Sequence, residues 1–194
     1  MEITTTQLKA LRDQTGISVM QCKKALEEAQ GDMDKAVIIL KKKRNEAADK
    51  KSNRALGAGT IGTYVHNTNE VSAMVLLACE TDFVSKNAEF MALARDIAMQ
   101  VAATNPKYIS KTEIAEVSLI KASEVFMTEI GDKPKEMQEK ILAGKMEAYF
   151  KEQILLEQDF IKNPETTIGE MVTGAVQKFG ENIIVSQISR LSVK

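Results

Sequence analysis

Tryptophan is absent from this sequence, histidine occurs once, cysteine twice and proline three times. The missing Trp decides nothing about function. A single His, His66, lies in a turn-like run and cannot assemble a multi-His metal site, nor does any signature join it to a Cys as a triad. Cys22 and Cys79 are isolated from each other. Without a zinc-type pair or an export signal they read as reduced, cytoplasmic core thiols. Charge of one sign is missing too, since 26 Lys and Arg face 27 Asp and Glu. A net charge of −1 with pI near 6.0 gives no global basic field for nucleic acid or an anionic membrane. The longest apolar runs, Ala36 to Leu40 and Val71 to Cys79, are too short to span a bilayer. The start, Met-Glu-Ile-Thr-Thr-Thr, has neither the charged nor the apolar region of a signal peptide. There is no Walker lysine motif, and no residue set supports catalysis, a metal or a cofactor. The expectation is a non-enzyme.

What remains is ordinary globular composition, 44% hydrophobic and 27% charged over 194 residues. That length suits one medium domain, or a small one followed by a larger one. Residues 1–50 read as three short helices. Leu8 and Leu11 form the buried edge of the first, and Gly16 ends it as a left-handed cap. Ser18 and Gln21 make a capping box for the second, whose inner stripe is Val19, Cys22, Leu26 and Ala29. Gly31 closes it. Asp32 caps the third, with Met33, Ala36, Val37 and Leu40 inward. The basic run Lys41 to Arg44 reads as the end of that helix, complementing its dipole, and residues 45–54 read as a linker.

Residues 55–80 sort into a β-hairpin, with Leu56, Ala58, Thr60 and Tyr64 on one face and Gly59, Ile61, Thr63 and Val65 on the other. A helix from about Asn87 to Thr104 follows and stops before Pro106. A short extended piece, Lys107 to Ile109, leads to another helix with the stripe Ile114, Val117, Ile120 and Val125. After a break at Gly131 to Pro134, a helix from about Lys135 to Tyr149 places Met137, Ile141, Leu142 and Met146 inward. Leu155 to Thr166 is irregular. Ile168 to Phe179 is a last helix, and Ile183 to Val193, rich in β-branched residues, is a closing strand. The order describes an α+β fold: a small antiparallel three-stranded sheet covered by helices, preceded by a helical module.

Two stretches invite a functional reading. Gly57-Ala58-Gly59-Thr60-Ile61-Gly62 matches the dinucleotide-binding glycine pattern literally. That motif needs a strand before the glycines and a helix opening on them. Here a charged linker precedes and a β-pattern follows, so glycines in an edge strand, closely approached by another backbone, are the better explanation. The second stretch is Cys79-Glu80-Thr81-Asp82-Phe83-Val84-Ser85-Lys86-Asn87, a strand-to-helix junction. Pattern alone favours Asp82 as a helix cap, and Phe83, seven residues before Phe90, as a core ring.

The run Leu11-Arg12-Asp13-Gln14-Thr15-Gly16-Ile17-Ser18-Val19-Met20-Gln21-Cys22-Lys23-Lys24-Ala25-Leu26 closely resembles the first signature of the translation elongation factor Ts family. Cys79 to Asn87, centred on Thr81-Asp82-Phe83-Val84, resembles the second, and the Gly131 to Pro134 break adds to the likeness. The resemblance covers essentially the whole chain. It implies a guanine nucleotide exchange factor for the GTPase elongation factor Tu. It also implies a ubiquitin-associated-like module at residues 1–50 and a core domain at residues 51–194. In the family, the segment matching Thr81, Asp82, Phe83 and Val84 lies near the partner's magnesium and phosphate loop, its aromatic wedged into an apolar pocket. Arg12, Met20 and Lys23 fall off the assigned core stripes and are candidate contacts of the first module. The chain is too short for the two core subdomains and coiled-coil insertion of longer members, so a homodimer is expected. Read this way, Asp82 and Phe83 must be exposed in the free protein, with Val84 or Phe90 starting the core. The rival classes are a helical adaptor without exchange activity and, on the glycines alone, a small nucleotide-binding enzyme.

Overall fold

A computed structural model describes residues 3–131 and 134–193. Asp132 and Lys133, within the expected break, lie outside the described residues. The chain divides into two compact units, one of residues up to Ala55 with Thr173–Ile183, the other of Leu56–Val172 with the segment from Ile184 onward.

The first unit contains α1 (Thr5–Thr15), α2 (Val19–Glu28) and α3 (Met33–Asp49), consistent with a ubiquitin-associated-like module. Each start is fixed by a side chain accepting from an early amide: Thr4 from Gln7, Ser18 from Gln21 and Asp32 from Lys35. The reciprocal box forms at Thr4 and Gln7. At Ser18 the Gln21 side chain meets the Ser18 hydroxyl instead, at 3.0 Å. Gly16 ends α1 with φ +68°, and Gly31 has φ +84°. Leu11, Cys22, Ala25, Leu26, Ala29, Ala36 and Leu40 form the core, with Leu8, Met33 and Val37 packed at its margin. Val19, expected inside, is exposed: it is the first residue of α2, one turn before Cys22 where burial begins, and Ala25 joins Cys22 and Leu26 in the core instead. The basic run and much of the expected linker are helical, since α3 continues to Asp49.

In the second unit β1 (Ala58–Val65) and β2 (Val71–Cys79) form an antiparallel hairpin, and β5 (Ile184–Ser192) pairs antiparallel with β2. The order β1-β2-β5 leaves β1 and β5 as edges. After β2 come α4 (Asp82–Ser85) and α5 (Ala88–Thr104), the latter packing its Phe90, Ala94, Ile97, Ala98 and Val101 face against the sheet. Ala73, Val75 and Leu77 of β2 point to that buried face. Gly62 permits the packing: a Cβ there would lie 2.2 Å from the carbonyl carbon of Ala94. Gly59 is crowded to a lesser degree, with Leu77 O 2.8 Å from its would-be Cβ. The glycines therefore serve close backbone approach in an edge strand, and no helix opens on them as a dinucleotide site requires.

Two helices, α6 (Glu116–Ile130) and α7 (Lys135–Lys151), pack against each other. Their expected stripes are only partly realised. Val117, Ile120, Val125 and Met137 are exposed, whereas Ile130 and Phe150 are buried. A helix that packs along one neighbour buries a narrow seam, and the additional apolar residues remain outside it. The stretch expected to be irregular holds a small hairpin, β3 (Asp159–Phe160) and β4 (Asn163–Thr167), before α8 (Ile168–Phe179). Pro164 is tolerated there because both strands of a two-stranded sheet are edge strands, to which proline is confined. Buried Gln100 of α5 fastens this hairpin. Its Nε2 donates to Gln158 Oε1 at 3.0 Å and Asp159 O at 3.2 Å, and its Oε1 accepts from Ile161 N at 3.0 Å.

Candidate functional site

The junction after β2 is built by a change of backbone direction. Thr81, extended at φ −126° and ψ 155°, is the N-cap of α4, and its hydroxyl accepts from Val84 N at 3.5 Å. Asp82 is thus the first helical residue and not the cap. The Cys79 thiol, buried beneath, donates to Thr81 O at 3.2 Å, and the Ser85 hydroxyl donates to Asp82 O at 3.1 Å. Helix α4 stops after one turn because Asn87 starts a new helix, its side chain accepting from Glu89 N at 2.9 Å. Phe83 and Phe90 therefore lie on separate helices, and the seven-residue spacing that would align them does not apply.

Burial separates adjacent residues. Val84 is 3% exposed and Phe90 fully buried, while Phe83 is 83% exposed. A single turn anchored by Val84 and Ser85 thus holds a bare aromatic ring in solvent. Asp82 is exposed as well and forms an ion pair with Lys86, Oδ2 to Nζ 2.6 Å. The hydrogen bond and charge of Lys86 hold the Asp82 carboxyl below its ordinary value. Lys86 is not among the residues singled out from the sequence. Its signal there is an acid followed four residues later by a base on a helical turn.

In the first unit Arg12 lies in the last turn of α1, while Met20 and Lys23 are one turn apart on α2. All three are exposed, Met20 by 70%. Lys23 reaches Glu27 at 3.9 Å. Among the described residues no group of three or more His, Cys, Asp or Glu could hold a metal ion. No described helix is long and apolar enough to cross a membrane.

Residues 46–193 match the family model described as elongation factor TS. The protein named elongation factor Ts from Thermodesulfovibrio yellowstonii is 46% identical over 194 residues, covering 100% of this chain and 97% of that one. Its namesake from Herpetosiphon aurantiacus is 43% identical over 195 residues, covering 100% and 98%. The one from Thermotoga neapolitana is 40% identical over 193 residues, with the same coverage. End-to-end identity of this extent, joined to a family match over most of the sequence, shows that the chain belongs to the elongation factor Ts family.

Proposed function

We propose that this chain is a guanine nucleotide exchange factor for elongation factor Tu, acting in the cytoplasm and performing no bond chemistry itself. The observation that carries the reading is the exposure of Phe83 on a turn whose next residue, Val84, is buried. Such a ring is already positioned for a partner, so little ordering is required on binding. Burying it in an apolar pocket of the GTPase provides roughly 1.5–3 kcal/mol, enough to hold a displaced element of the partner. Asp82, one residue away, brings a carboxylate to the magnesium and phosphate region. Disturbing the shell of that metal removes a large charge that holds the phosphates. A factor that binds the empty GTPase better than the loaded one must weaken nucleotide by the same ratio, and GTP binding expels the factor through the same coupling.

Arg12, Met20 and Lys23 supply the contacts of the first unit with the GTPase. The flexible thioether of Met20, exposed beside a packed core, suits such a surface. A homodimer completes the assembly. Its support is the sheet face opposite α5, where Ile61, Val65, Met74, Ile184 and Leu191 are exposed together. Exposed apolar side chains gathered on one sheet face, here interspersed with Thr63, Ser72, Gln187 and Ser189, favour an interaction surface.

Stopped-flow release of a fluorescent GDP from elongation factor Tu tests the reading. The unmodified chain accelerates release and Phe83→Ala loses most of the acceleration. Equal acceleration by the variant refutes the wedge, and no acceleration by either favours an adaptor.

A further inference from the structure

Hydrogen bonds pin residues 107–109 against the segment that follows α7. Lys107 N and Tyr108 N both donate to Gln153 O, at 2.9 and 3.1 Å, and Leu155 N donates to Tyr108 O at 2.9 Å. Between this segment, α6 and α7 lies a cavity of about 330 Å³ in the second unit. From α6 it takes Ser118, Lys121, Ala122 and Val125, an i, i+3, i+4, i+7 face. Its aromatic wall is held by edge-on contacts, Tyr149 to Phe126 with ring centroids 5.5 Å apart and Tyr149 to Phe150 at 5.1 Å.

No carboxylate lines this cavity, whereas Lys107 and Lys121 do, and both are exposed. Neighbouring lysines are paired, Lys111 with Glu157 and Lys145 with Glu129. Lys107 and Lys121 have no ion-pair partner among the described residues, and the hydroxyls of Ser118, Tyr108 and Tyr149 have no hydrogen-bond partner there. Val117, Lys121 and Val125 form one exposed i, i+4, i+8 row, so apolar surface continues along α6 past the cavity. Unmatched positive charge set among aromatic and branched aliphatic side chains suits a chain that brings an apolar anchor and acidic charge together.

We infer that this cavity is a docking site for an acidic segment of a partner protein, with one aromatic side chain as its anchor. The ring enters beside Ala122, against the wall of Phe126, Tyr149 and Phe150, and makes the same edge-on contact that those rings make with one another. Carboxylates flanking the ring meet Lys107 and Lys121, and the free hydroxyls donate to further acceptors. Charge selects this occupant. A second copy of the chain would bring the same lysines to a two-fold contact, like charge against like, and a small aromatic acid would leave Val117 uncovered. The hydrogen bonds that already fix residues 107–109 leave little ordering to oppose binding. The site shares no residue with the Thr81 to Val84 turn and does not depend on exchange activity.

Fluorescence anisotropy of the full chain with a fluorescein-labelled peptide, Gly-Glu-Asp-Phe-Glu-Asp-Gly, tests the proposal. Saturable binding at one site is expected. Joint replacement Lys107→Glu and Lys121→Glu weakens it about tenfold, as two exposed ion pairs imply, and Ala122→Phe abolishes it by filling the cavity. Circular dichroism checks that each variant is folded, and the exposed lysines can be replaced without touching the core. Absence of saturable binding, unchanged affinity in the double variant, or equal binding of a peptide with lysine at every acidic position overturns the proposal. Displacement by phenylpropionate as effective as by unlabelled peptide overturns it in favour of a small aromatic acid. A halved light-scattering mass in Ala122→Phe overturns it in favour of a second copy of the chain.

Discussion

Lys86 Nζ lies 2.6 Å from Asp82 Oδ2, so the exposed carboxylate next to Phe83 is neutralised by its own helical turn. Any partner that uses Asp82 must break or share that pair. Its energy is small because both side chains are solvated and screened by salt.

The pair has a pH signature. Lys86 holds the Asp82 carboxyl below its ordinary 3.8. Its contribution to stability is therefore complete above that ordinary value and disappears as pH falls through the lowered native value. In Lys86→Met the NMR titration midpoint of the Asp82 carboxyl rises toward the ordinary value. High salt moves the unmodified protein in the same direction.

Phe83 and Val84 have opposite expected phenotypes. Phe83→Ala changes unfolding free energy within about 0.5 kcal/mol, as for exposed positions, yet reduces stimulated GDP release roughly tenfold or more. Val84→Ala removes buried methyl groups and costs about 2 kcal/mol. Urea denaturation followed by stopped-flow release separates stability from exchange.

Glycine replacements distinguish packing from helix propensity. Gly62→Ala places a Cβ against the Ala94 backbone at 2.2 Å, forcing β1 away from α5. A loss of about 3 kcal/mol is expected from this overpacking. Gly144→Ala, in α7 with nothing within 4 Å of its Cβ, raises stability by roughly 0.5–1 kcal/mol. Thermal denaturation of both variants gives the contrast directly.

The proposed dimer requires the outer sheet face. Ile61→Glu and Leu191→Glu leave the buried face untouched and shift light-scattering mass from dimer to monomer. A monomeric mass for the unmodified chain refutes the dimer.

Much of the fold is legible from local chemistry. Ser18 and Asp32 start helices, Gly16 ends one, and Pro106 lies just past another, because caps and breakers act on their immediate neighbours. The period-two pattern of residues 55–80 likewise specifies β1 and its partner. The extent of α3 is harder to read, since a charged helix with no clear stripe gives no periodic signal. The exposed residues of α6 mislead for the reverse reason: an apolar stripe marks a surface able to pack and does not state how much of it finds a neighbour.

The sequence by itself determined the caps at Gly16, Ser18 and Asp32, the hairpin and the family likeness carried by Leu11 to Leu26 and Cys79 to Asn87, but not the cap of α4, which is Thr81 and not Asp82. Only tertiary structure decided that Val84 enters the core while Phe83 remains outside. One turn of helix points adjacent side chains about 100° apart, and which of them is buried depends on the sheet and α5 packed beneath that turn. The same holds for Lys107, Lys121 and Tyr149, separated along the chain and brought to one cavity by folding. Local propensities act over a few residues, whereas burial and convergence of charge depend on which distant segments come to lie beside them.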